Sequence, residues 1–93
     1  MDIKILDKNL YPLSGTKDRF VHLASLQKGV REFMCFLDTL TSKVYLEEIS
    51  GGHLEYISDD ELAEELALFA NEHGLIDMRR TLHETASLTK RLP

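Results

Sequence analysis

The sequence is poor in several things at once, and each shortage closes off a class of protein. Cysteine occurs once, as Cys35, so no disulfide forms within the chain and the cross-linked frameworks of small exported domains are excluded. Cys35 lies in the apolar run from Phe33 to Leu37, which predicts a reduced, buried thiol in a cytoplasmic protein. With no basic side chain close in sequence to lower its pKa, it is not expected to act as a nucleophile. No apolar stretch approaches the roughly 18 residues that a membrane span needs. The opening MDIKILDKNL interrupts its apolar pairs with charges and so lacks a signal-peptide core. No membrane partner is expected.

Recurring site chemistry is missing too. His22, His53, His73 and His83 stand singly, with neither a cysteine pair nor an HExxH spacing, so no metal site is expected. Glu61, Glu64 and Glu65 lack the glycine-bearing loop or histidine partner that would make them ligands. Gly51-Gly52 is not followed by a helix carrying lysine, so nothing cradles a phosphate, and no serine sits in a nucleophile elbow. Exposed helical glutamates also lack the cleft that would raise one carboxyl pKa for acid–base work. The expectation is a protein that is not an enzyme and holds no cofactor.

The most one-sided shortage is of positive charge. Between Val44 and Asp77 there are ten acidic side chains and no lysine or arginine, whereas residues 1–43 carry seven basic and five acidic groups and 78–93 four basic and one acidic. The overall charge of −5 conceals this layout. A dipolar chain of this kind either folds its basic end over its acidic middle or offers surfaces of opposite sign to partners.

What is present describes an ordinary folded domain. The 93 residues are 43% hydrophobic and 29% charged, enough for one modest core with little to spare. Ile3, Ile5 and Leu6 read as a short strand, and Tyr11-Pro12 through Asp18 as a loop. Phe20 to Leu26 fits two patterns, a helical face of Phe20, Leu23, Ala24 and Gln27 or a strand in which Val21, Leu23 and Ser25 alternate with Phe20, His22 and Ala24; the strand is favoured, with Lys28-Gly29 as a hairpin-like break after it. Arg31 to Asp38 is the clearest strand: Phe33, Cys35 and Leu37 take one face and Met34 and Phe36 the other, so neither face is polar and the strand is central. Asp38 to Lys43 forms a turn in which Asp38 accepts from turn amides and Ser42 holds a place suited to positive φ. Lys43 to Ile49 follows, then a Ser50-Gly51-Gly52 turn and a last strand from His53 to Ile57.

Ser58-Asp59-Asp60-Glu61 reads as a capping box, with Ser58 and Glu61 exchanging bonds at the start of a helix over about 59–73 that stops at Gly74. Leu62, Ala63, Leu66, Phe69 and Ala70 share the face that packs on the sheet. Glu61, Glu64, Glu65 and Glu72 line the opposite side around Leu68. These glutamates repel one another with no counter-charge in the helix. Any such charge must come from elsewhere.

The fold class expected is therefore α+β: an antiparallel β-meander of four to five strands with one packed amphipathic helix. Residues 1–76 form the domain and 77–93 a marginal C-terminal helix or basic arm containing Arg79, Arg80, Lys90 and Arg91. The function expected is non-catalytic protein binding or regulation. Its surfaces would be the acidic helix face (Glu61, Glu64, Glu65, Leu68, Glu72), meeting a partner with a basic surface, and the apolar sheet face (Met34, Phe36, Tyr45), where a homodimer would form. One alternative is an acidic inhibitor of the phage or plasmid type that imitates nucleic acid to block a host nucleic-acid enzyme. Another is a nucleic-acid-associated regulator using the basic tail, although the acidic segment opposes direct nucleic-acid binding.

Overall fold

The computed structural model describes residues 2–75. Within them an antiparallel sheet carries one α-helix, so the fold is α+β. The strands are β1 (Ile3–Asp7), β2 (Tyr11–Pro12), β3 (Phe20–Lys28), β4 (Arg31–Asp38), β5 (Lys43–Ser50) and β6 (His53–Glu55), followed by α1 (Asp60–Glu72). The order across the sheet is β1-β3-β4-β5-β6, with β2 also paired to β3. β1 meets the Ser25 to Lys28 end of β3 and β2 meets Val21 and His22. They are two pieces of one interrupted edge strand.

Turn chemistry sets the register. Gly29, at φ 61°, takes the first central position of the two-residue turn between Lys28 and Arg31, as a type II′ hairpin requires. The next hairpin pairs Asp38 with Lys43; Asp38 Oδ1 accepts from the Leu40 amide at 3.0 Å and Ser42 adopts φ 61°, as the sequence predicts. Strand β3 extends to Lys28 rather than ending at Leu26, because the tight turn lets pairing continue to its edge.

A bulge in β3 decides which side chains share a face. The register shifts between His22 and Ala24, so Leu23 is the extra residue and the alternation changes phase there. Ala24 and Leu26 then pair with Cys35 and Phe33 beneath the helix, while His22 pairs with Phe36 on the opposite face. The core joins Ala24, Leu26, Phe33 and Cys35 from the sheet to Ile57, Leu62, Leu66 and Ala70. The helix buries the stripe that its periodicity predicts.

Two local expectations are corrected. The helix cap is Asp59, not Ser58: Asp59 Oδ1 accepts from the amides of Glu61 at 3.1 Å and Leu62 at 3.2 Å. A charged carboxylate accepting two amides at the positive end of the dipole outcompetes a hydroxyl accepting one. Strand β6 ends at Glu55 rather than Ile57, because Ile57 leaves the ladder and enters the core. At the other end Gly74, at φ 68°, closes a Schellman motif, with Leu75 N–H donating to Ala70 C=O and Gly74 N–H to Asn71 C=O. Among the described residues no helix is long and apolar enough to cross a membrane. The basic arm with Arg79, Arg80, Lys90 and Arg91 lies outside the described residues.

Candidate functional site

The sheet face away from the helix carries a strip of aromatic rings. Phe20, Phe36 and Tyr45 come from three adjacent strands, and antiparallel pairing places them side by side: Phe36 is opposite Tyr45 across β4 and β5. Phe20 meets Phe36 edge-on at 5.7 Å between centroids, and Phe36 stacks on Tyr45 at 5.5 Å. Both geometries suit the ring quadrupole. Phe36 is only 6% exposed, being enclosed by its neighbours, whereas Tyr45 is 37% exposed and Met34 is half-buried.

One end of the strip is closed by a charge pair. Arg19 donates from Nε to Asp38 Oδ1 at 3.0 Å and from Nη2 to Asp38 Oδ2 at 2.9 Å, and its guanidinium lies 5.1 Å from the Phe20 ring centre. The Asp38 carboxylate is 2% exposed, yet its pKa falls from the ordinary 3.8 to about 2: the hydrogen bonds from Arg19 outweigh the desolvation that would raise it. Arg19, Phe20, Phe36, Asp38, Tyr45 and Glu47 together line a shallow depression of about 210 Å³.

On the same face, Tyr11 stacks on His22 at 4.3 Å. His22 is fully buried; its Nδ1 contacts the Asn9 carbonyl at 2.6 Å and so donates, which leaves Nε2 to accept from the Ser25 hydroxyl at 2.7 Å. Both ring nitrogens are occupied. His22 acts here as a clamp that holds the break between β1 and β2 against β3.

The acidic helix face is arranged as its periodicity predicts, with one addition. Glu61, Glu64 and Glu72 are exposed, and Leu68 among them is 51% exposed. Glu65 is half-buried and accepts from Lys28 Nζ at 2.8 and 3.0 Å. The counter-charge missing from the helix thus comes from the end of β3. Glu48 is likewise paired, with Arg31 at 2.7 and 2.9 Å, and the guanidinium hydrogen bonds hold its pKa below the usual carboxylate range. Between these pairs, the β3–β4 turn and the helix start enclose an open groove of about 590 Å³ lined by Lys28, Arg31, Phe33, Asp59, Glu61 and Leu62.

Cys35 is buried in the core, and desolvation pushes its thiol up to about 12, so it remains protonated. Among the described residues no group of three or more His, Cys, Asp or Glu side chains converges as metal ligands would.

The structure brings Met34, Phe36 and Tyr45 onto one face, and Glu61, Glu64, Leu68 and Glu72 onto one exposed helix side. It separates Glu65 from that set by pairing it. Sequence reading missed Arg19, Phe20 and Glu47 as members of the aromatic face. Only the period-2 position of Glu47 after Tyr45 pointed that way; the Arg19–Asp38 and Lys28–Glu65 pairs join residues too far apart for any local pattern to show. Comparison with protein-family models, with curated proteins and with solved structures finds no match.

Proposed function

We propose that this is a small, non-catalytic protein-binding or regulatory protein whose main contact surface is the aromatic sheet face. The observation that carries this reading is the Phe20–Phe36–Tyr45 strip, on the side of the sheet opposite the helix, with no described helix packed over it. Half-exposed aromatic and methionine side chains edged by an arginine are the composition of an interface centre. Phe36 supports the strip from within, and Tyr45 and Met34 present its accessible part. The helix side around Leu68 is a second, acidic contact surface for a partner with a basic patch.

The alternative in which the 44–77 segment imitates nucleic acid draws less support, because Glu48 and Glu65 are already neutralised by Arg31 and Lys28. What remains on the helix is Asp60 and three exposed glutamates beside an exposed leucine, a poor copy of a continuous phosphate run.

Affinity capture from the source cells, followed by mass spectrometry, tests the reading with three baits: wild type, Tyr45→Ser and Glu64→Lys. Loss of a specific protein with Tyr45→Ser supports the sheet face. Equal recovery of every partner by wild type and Tyr45→Ser overturns it. A partner released steeply by added salt and lost only with Glu64→Lys moves the function to the acidic helix.

A further inference from the structure

The second face of interest is an edge. Strand β5 runs from Lys43 to Ser50, but β6 pairs only with Glu48, Ile49 and Ser50. Past Glu55 the chain leaves the ladder and carries Ile57 into the core. The outer edge of β5 from Lys43 to Glu47 therefore has no strand beside it among the described residues. An open edge of five residues presents backbone donors and acceptors to any extended chain, and proteins ordinarily protect such edges.

The five residues Lys43-Val44-Tyr45-Leu46-Glu47 are complementary to themselves when run antiparallel. Centred on Tyr45, the pairing sets Lys43 opposite Glu47, Val44 opposite Leu46, and Tyr45 opposite its own copy. Directly opposed residues share a face of the sheet, so each lysine meets a glutamate on the aromatic side and each valine a leucine on the helix side. Neither Lys43 nor Glu47 belongs to any of the ion pairs within the described residues, unlike Lys28, Arg31 and Arg19.

The geometry points to a symmetric dimer in which the β5 edges of two copies of this chain pair antiparallel about a two-fold axis at Tyr45, perpendicular to the sheet. Such an interface is isologous, each copy supplying the same segment. The register is specified. A slip of two residues one way leaves Lys43 opposite Tyr45 and the glutamate unmatched; the same slip the other way requires a place opposite Ile49 that Leu54 already holds. The axis keeps both helices on one side. It also joins the two Phe20–Phe36–Tyr45 strips into one continuous aromatic surface, which goes beyond the binding function proposed above.

The test is sedimentation velocity on the full chain over a range of concentrations, with helix content checked by circular dichroism. The wild type is expected to form a dimer. Lys43→Glu opposes two pairs of glutamates and Glu47→Lys two pairs of lysines, so each alone weakens the dimer by about tenfold or more. Mixing the two single variants creates two lysine–glutamate pairs in a heterodimer, and the doubly substituted chain recreates them in a homodimer; both are expected to regain wild-type association. A misfolded variant would not be rescued by mixing, which separates loss of charge matching from loss of fold. A wild type that stays monomeric, or a dimer indifferent to the single reversals, or singles that fail to rescue each other, overturns the edge pairing. A monomer that still captures its partner through Tyr45 leaves the binding surface standing.

Discussion

Arg19 and Asp38, nineteen residues apart in sequence, meet at the end of the β3–β4 ladder in two parallel hydrogen bonds of 3.0 and 2.9 Å. Asp38 also accepts from the Leu40 amide at 3.0 Å. One carboxylate thus closes a strand pair, orders the β4–β5 turn and anchors the guanidinium that lies over Phe20. Removing Arg19 leaves the nearly buried Asp38 carboxylate without its match, the costly side of hydrogen-bond energetics, whereas removing Asp38 leaves a guanidinium that water still reaches.

This pair makes stability depend on acid. The pKa of Asp38 is lower in the folded chain, about 2 against an ordinary 3.8, so the unfolded state binds the proton first as pH falls. The stabilisation is complete above about pH 4 and is lost as pH drops through 3 towards 2. The expected outcome is a melting midpoint that falls over this window in the wild type. The fall is shallower in Asp38→Asn, which starts from a lower midpoint at neutral pH. Identical acid limbs for the two proteins would remove Asp38 as the cause.

The helix start separates two neighbouring residues. Asp59→Ala is expected to lower stability by about 1 kcal/mol, because the Glu61 and Leu62 amides lose their acceptor. Ser58→Ala, one position earlier, is expected to change it by less than about 0.5 kcal/mol, as an exposed residue outside the cap does. Urea unfolding of both variants reads the difference, and a larger loss from Ser58→Ala would place the cap at Ser58.

Gly74→Ala tests the opposite end. A Cβ there meets no atom within 4 Å, but the backbone is held at φ 68°. The loss expected is therefore conformational, about 1–2 kcal/mol, with no change in packing. Gly74→Asn is expected to lose less, since asparagine tolerates the left-handed region. Thermal melts of the two variants rank them.

Two glutamates one residue apart are expected to respond oppositely to reversal of charge. Glu64 is exposed and has only like charges around it on the helix, so Glu64→Lys is expected to hold or raise stability by a few tenths of a kcal/mol. Glu65 accepts from Lys28 across to the sheet, so Glu65→Lys sets two ammonium groups together and is expected to lower stability by up to about 1 kcal/mol. Denaturant midpoints at low and high salt check both, and the Glu65→Lys deficit is expected to shrink as salt is added.

In the core, Leu66→Ala is expected to cost about 2–5 kcal/mol. Leu66 is fully buried between the helix and the sheet, and its removal leaves a cavity that the paired strands cannot close. Calorimetry of the variant gives the loss directly.

Much of this fold was determined by the sequence itself, wherever the deciding physics acts over a few residues. Period-2 alternation sets β4 at Arg31–Asp38. Turn residues set the hairpins at Gly29, Ser42 and Gly51-Gly52, and apolar spacing sets the buried stripe Leu62, Leu66, Ala70. Tertiary structure decided what depends on residues distant in the chain. The bulge at Leu23 moves His22 and Ala24 to opposite faces because the core needs Ala24 beside Cys35, and alternation within β3 alone cannot report that. Lys28 answers Glu65, and Arg19 answers Asp38, only after β3, β4 and the helix are assembled. Even the cap moved by one residue, since Ser58 and Asp59 are both competent and differ by a fraction of the energy with which the core places Ile57. Local patterns settle which elements form; the pairing of charges and rings across them is settled by packing, because those groups are neighbours in space and strangers in sequence.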